Sequence, residues 1–159
     1  MRAAVITAPG DPDVLAIQSR PVPAPGTGEI LMRVHASAIT RADLLQRIGR
    51  YAAPAGVPAD IPGLEFAGEI TALGAGVTSW AVGDRVCGLV GGGAHAEYLV
   101  THERAVARVP DGMTWAIAGA APESGARHGH DRRLRAGSAG MDSRRGDAVD
   151  QRSRCGCCT

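Results

Sequence analysis

The chain contains no lysine. Its 17 basic residues are all arginine and stand against 16 acidic ones. The net charge of +1 excludes a whole-molecule field that would draw nucleic acid or an anionic membrane. Aromatic residues make up only 3% of the sequence, and none falls in residues 124–159, so that stretch offers no platform for stacking bases. No apolar run approaches the roughly 18–20 residues that span a bilayer. The opening M-R-A-A-V-I-T-A-P-G carries too short an apolar stretch for a secretory leader, which makes the cytoplasm the expected compartment. Cysteine is also thin where a fold would need it. Three of the four cluster as Cys155, Cys157 and Cys158, leaving Cys87 alone in the patterned part, which excludes the spaced disulfide framework of a small secreted domain. Arginine without lysine, together with abundant Ala and Gly, points to a GC-rich coding sequence.

What is present reads as short strands between turns, a mainly β chain with short helices. Ala3–Thr7 predicts an edge strand closed by Pro9-Gly10, with Leu15–Ser19 as its hairpin partner. Pro21, Pro23 and Pro25 lack amide donors and force an extended connector. Ile30–Ser37 alternates, with Ile30, Met32, Val34 and Ala36 opposing Arg33, His35 and Ser37. Phe66–Leu73, Arg85–Val90 and Ala94–Val100 are further strands, set off by Gly74-Ala75-Gly76 and Gly83-Asp84. Such strands suit a small barrel. One helix is marked from Thr40 as N-cap to Gly49 as C-cap, with Asp43 in its first turn and Leu44, Leu45 and Ile48 as an apolar stripe. A second helix is expected after Thr114, ending before Pro122.

Residues 124–159 differ in kind. Their larger aliphatics amount to Leu134, Met141 and Val149, too little apolar surface to offset chain entropy, so disorder is expected. The C-G-C-C run falls short of the roughly four ligands of a metal site, and Asp131, Asp142, Asp147 and Asp150 interrupt the arginines that would touch nucleic acid.

Five segments in order carry a family resemblance: M-R-A-A-V-I-T, R-V-H-A-S-A-I-T-R-A-D-L-L-Q-R-I-G-R-Y, I-P-G-L-E-F-A-G-E-I, V-G-D-R-V-C-G-L and A-H-A-E-Y. Over residues 1 to about 123 the chain resembles the N-terminal domain of the zinc-independent NADPH:quinone oxidoreductases of the medium-chain dehydrogenase/reductase superfamily. The resemblance implies a GroES-like β-barrel, normally followed by a Rossmann domain that binds NADP(H). It implies hydride transfer to a quinone or another conjugated carbonyl, in a homodimer or homotetramer. The zinc branch has Cys where Thr40 stands and His where Leu64 stands, so no metal is expected. The structural-zinc lobe is likewise replaced by G-L-V-G-G-G between Val86 and Ala94.

Carried onto this chain, the resemblance gives Tyr51 and Thr40 as catalytic candidates, and Thr40 and Leu64 as residues beside the nicotinamide. Tyr51 would position substrate or donate a hydrogen bond to the reduced oxygen; its other reading is a surface-loop tyrosine with its ring on Pro54. Thr40 stands where this branch usually has Asn, and it is equally a helix N-cap. Asp43 reads as a capping residue and Glu65 as structural. Gly63 and Gly68 allow tight backbone passage. His35 and His95 read as surface or packing residues. Cys87 reads as a small buried hydrophobe.

The glycine-rich turn that would seat a pyrophosphate is missing, so NADP(H) binding by this chain alone is not expected. Shifting the codons of Asp147–Thr159 by one base permits T-L-L-I-S-A-A-G-V-G-V-A, which resembles a Rossmann strand and turn. The expectation is therefore a truncated or frame-shifted reductase fragment, inactive alone. Two other readings stand beside it: a free-standing GroES-like binding module, and one half of a split reductase. Substrate in the intact family would be the quinone or conjugated carbonyl; neither nucleic acid nor membrane is an expected partner.

Overall fold

A computed structural model describes residues 1–128. The expectations for the Arg/Gly/Cys-rich tail beyond His128 lie outside the described residues. The expected hairpin forms: β1 (Arg2–Ile6) pairs antiparallel with β2 (Leu15–Ser19), in a register from Arg2 opposite Ser19 to Ile6 opposite Leu15. The remaining strands are β3 (Glu29–Ala38), β4 (Glu65–Leu73), β5 (Arg85–Leu89), β6 (Tyr98–His102) and β7 (Val106–Arg108). They form one five-stranded sheet in the order β6-β3-β4-β5-β7, with β6-β3-β4-β5 paired antiparallel. The helices are α1 (Arg41–Arg47) and α2 (Trp115–His128). A single bridge between Ala3 and Ala96 ties the hairpin to the sheet.

The sheet is buried on both faces where β4 runs through its middle. Phe66, Ile70, Val86, Ile30, Met32 and Leu99 close one core, all at 5% exposure or less. On the other face Ala67 and Cys87 meet Ala118 of α2, with Val109 and the partly buried Met113 and Trp115. Residues on that face are small because the helix lies close. A Cβ built on Gly119 of α2 would stand 2.9 Å from the Cβ of Ala36. Gly68 is equally confined, since a Cβ there would collide with the carbonyl of Arg33.

Trp115 fastens the start of α2. Its ring stacks on His35 with centroids 4.5 Å apart and planes 7° apart, and the Arg85 guanidinium lies 4.2 Å from its centroid. Arg85 also donates to the Met113 carbonyl at 2.8 Å.

Three expectations are corrected, and one strand was not foreseen. Leu44 is 54% exposed and Ile48 37% exposed, while Asp43 and Gln46 are the buried residues of α1. The helix is turned by what its polar side chains bind rather than by its apolar stripe. α2 passes through Pro122 instead of stopping before it. A proline has a helix-compatible φ and forfeits one hydrogen bond; packing of α2 on β3, β4 and β5 offsets that loss. β6 begins at Tyr98, because Ala94–Glu97 are diverted to the hairpin, where Ala4 N donates to the His95 carbonyl at 2.9 Å. β7 has no signal beyond three residues and forms by pairing with β5.

Phe66 is the largest fully buried side chain. Phe66→Ala should lower unfolding free energy by about 3–5 kcal/mol, read from urea midpoints at constant m-value.

Candidate functional site

The site is assembled at the start of α1. Thr40 has extended backbone (φ −110°, ψ 170°), the geometry of an N-cap. Its amide donates to Asp43 Oδ2 at 2.6 Å. The Thr40 hydroxyl approaches the Asp43 amide in capping-box fashion without closing a full hydrogen bond. The residue is 8% exposed, and its Oγ1 has no partner.

The second carboxylate oxygen of Asp43 reaches away from its own helix. Oδ1 accepts from the Gly63 amide at 2.8 Å, across 20 residues of sequence. Asp43 thereby seats the I-P-G-L-E turn against α1 and holds the Thr40 and Gly63 amides on the two oxygens of one carboxylate. Leu64 is half-buried, and its carbonyl accepts from Val90 at 2.7 Å.

Gly63 is a position only glycine fills. Its φ is +105°, and a Cβ there would lie 2.5 Å from the His95 backbone nitrogen and 2.8 Å from His95 Nδ1. The vacated space holds the imidazole. His95 Nδ1 stands 2.9 Å from Ser37 Oγ, and Nε2 stands 3.6 Å from Asp43 Oδ2. At that length the second contact is an ion pair when the ring is protonated, not a hydrogen bond. Burial alone would raise the Asp43 pKa. His95 and the Thr40 and Gly63 amides outweigh it and hold the carboxyl below its ordinary value.

Tyr51 follows the turn at Gly49 (φ +74°) and is half-buried. Its hydroxyl makes no hydrogen bond among the described residues. A cavity of about 570 Å³ lies elsewhere, between Arg20, Val57, Ile61, Val90 and Leu99. Thr40, Tyr51 and Leu64 do not line it. Its one guanidinium is already committed, because Arg20 donates to Gln18 and to Asp60, each at 2.7 Å. The polar convergence around Asp43 is the better site.

Cys87 is buried on β5, and burial pushes its thiol pKa up, away from nucleophile chemistry. Glu65 is buried at the start of β4 and is partnered there. Among the described residues, no three His, Cys, Asp or Glu side chains converge to hold a metal ion. Sequence reasoning missed Ser37 and His95, which pair across 58 residues. No local spacing links them; the positive φ of Gly63 was the nearest signal.

A family model described as the alcohol dehydrogenase GroES-like domain matches residues 26–111. The chain belongs to that family. A polyketide synthase component of Streptomyces venezuelae, PikAII, is 41% identical over 115 residues, which is 72% of this chain and 3% of that protein. The crystal structure of a quinone oxidoreductase from Pseudomonas syringae matches with a TM-score of 0.71 at 30% identity, covering 78% of this chain and 38% of that one. A mycobacterial structure in complex with NADPH matches with a TM-score of 0.66 at 33% identity, covering 75% and 37%. The chain spans from 3% to 31% of the length of curated relatives that it matches. No described helix is long and apolar enough to cross a membrane.

Gly63→Ala in this GroES-like domain should cost about 1–3 kcal/mol, because the added methyl meets backbone and must displace His95. Circular dichroism melts with matched urea titrations measure it. Asp43→Asn should cost a similar ~1–3 kcal/mol at neutral pH, by weakening acceptors that two buried amides need. The Asp43 pKa is lowered on folding, so the carboxylate's contribution is full above the unfolded value, near 3.8, and disappears as pH falls through the folded value. The stability gap between wild type and Asp43→Asn should therefore be constant at neutral pH and close on acidification below about pH 4.

Proposed function

We propose that residues 1–123 form the substrate-side domain of a zinc-independent, NADPH-dependent reductase of quinones or other conjugated carbonyls. The observation that carries this reading is the Thr40 hydroxyl: buried, closing no full hydrogen bond, and on a residue whose amide is bound by Asp43, the same carboxylate that binds the Gly63 amide preceding Leu64. A buried donor without a partner is an unsatisfied group that a ligand oxygen can satisfy. The family membership and the NADPH-bound relative support the choice of ligand and reductant.

NADPH, when bound by the nucleotide-binding half of such an enzyme, supplies the hydride. This chain's own residues bind and orient the acceptor. Leu64 offers an apolar wall to the ring. Thr40 Oγ1 donates to the carbonyl oxygen, which gains negative charge as the hydride arrives. Tyr51 is assigned, by the family resemblance, to position substrate or donate a hydrogen bond. Leu64 cannot ligate a metal and Thr40 is a poor ligand, so polarisation by hydrogen bonding replaces that by zinc. The similarity to a polyketide synthase component favours a second reading, in which the acceptor is a conjugated enoyl chain.

Two outcomes are expected with the purified chain. NADPH fluorescence should show no saturable binding, since the proposed role leaves the dinucleotide to another domain; saturation at micromolar NADPH would contradict this. Tetramethyl-1,4-benzoquinone, which has no free ring position for thiol attack, should quench tryptophan fluorescence saturably. Thr40→Val should retain the fold at a cost of about 1 kcal/mol for the lost N-cap, and should weaken quinone binding about tenfold. Unchanged affinity would remove Thr40 from the site.

A further inference from the structure

Ser37 and His95 form a constellation with Asp43, and of the three the reductase reading uses only Asp43. His95 is pinned through its backbone on both sides: its amide donates to the Pro62 carbonyl at 3.0 Å, and its carbonyl accepts from the Ala4 amide at 2.9 Å. The ring enters the space left by the absent Cβ of Gly63. Ser37 sits on β3, opposite Phe66 of β4. Both groups therefore ride on rigid backbone, the condition for a fixed geometry between them.

The tautomer follows from the neighbours. Asp43 is an acceptor only, and it is what Nε2 faces, at 3.6 Å. The acceptor facing Nε2 favours the tautomer with its hydrogen on Nε2, which leaves Nδ1 bare. Nδ1, 2.9 Å from Ser37 Oγ, accepts the serine hydroxyl hydrogen. This is the serine–histidine–carboxylate relay with the two ring nitrogens exchanged. Asp43 holds the tautomer and stabilises the imidazolium that forms when the ring takes the proton.

The outer end of the relay is open. Ser37 is exposed, and together with His95 it lines a depression of about 350 Å³. Ala3, Ile17 and Ala96 give it an apolar wall, and the Arg2–Glu97 ion pair, at 2.7 Å, stands at its side. The space suits a short acyl group.

We propose that Ser37 is an activated nucleophile toward short-chain acyl esters, with His95 as its base and Asp43 as the group orienting His95. Ser37 Oγ bonds to the acyl carbon as the bond from that carbon to the leaving oxygen breaks. The serine proton passes to His95 Nδ1 and from there to the leaving alkoxide. Water then cleaves the acyl-serine, giving a carboxylic acid and restoring the hydroxyl. No electrons are exchanged, so the activity is independent of NADPH and of the proposed reductase.

The test uses a fluorophosphonate probe on the full 159-residue chain. The serine oxygen bonds to phosphorus, fluoride leaves and the proton goes to His95. The reagent discriminates an activated serine from the cysteines. Peptide mass mapping should place the adduct on Ser37, and Ser37→Ala should abolish it. His95→Gln should slow labelling by about 100-fold or more, the usual worth of a general base. Should His95→Gln fail to fold, wild type in denaturing urea gives the same comparison, and labelling should vanish there. An adduct on another residue, no adduct, or equal rates in wild type and either control would overturn the proposal.

Discussion

The buried carboxylate of Asp43 is the constraint on which the site depends. Its two oxygens answer to three parts of the chain that share no sequence neighbourhood: the Thr40 amide, the Gly63 amide and the His95 ring. Desolvating a charge opposes folding, and the arrangement is tolerated because donors converge on it. The same requirement fixes how α1 rotates. Asp43 and Gln46, whose amide donates to the Ala59 carbonyl at 3.0 Å, face inward, and Leu44 and Ile48 are left outside. Polar satisfaction decides the orientation of this helix, and the apolar stripe yields to it.

That exchange has a functional side. Ile39 is 77% exposed beside the N-cap, next to exposed Leu44 on the following turn. In the proposed reductase these side chains border the cleft that the nucleotide-binding half would close. The sheet, by contrast, is finished on both faces: Phe66 and its neighbours fill one, and α2 covers the small residues of the other. The rigid part of the domain therefore supports a site built around Asp43, on which the Thr40 amide, the Gly63 amide and the His95 ring converge. That position is compatible with two separate chemistries, carbonyl recognition at Thr40 and serine activation at Ser37, sharing one organising carboxylate.

Much of this fold was legible in the chain. Alternation located β3, and short apolar runs between turn signals located β1, β2, β4 and β5. The five ordered segments indicated the GroES-like family before any coordinates, and residues 26–111 bear it out. The failures share one physical cause, which is that long-range contacts overruled local pattern. α1 turned toward distant amides, α2 ran through Pro122 because the sheet supports it, and β6 started late because the hairpin captured Ala94–Glu97. Thr40, Leu64 and Tyr51 could be named from resemblance alone. The pairing of Ser37 with His95 could not, since it exists only once Gly63 lets two remote segments meet.

The most direct measurement is a carbon-13 and nitrogen-15 NMR titration that follows the Asp43 carboxyl and the Thr40 and Gly63 amides together. The account requires all three to titrate as one, with a midpoint below the ordinary aspartate value of 3.8. Amides that stay still while the carboxyl titrates, or a midpoint at or above that value, would show that Asp43 does not organise this site.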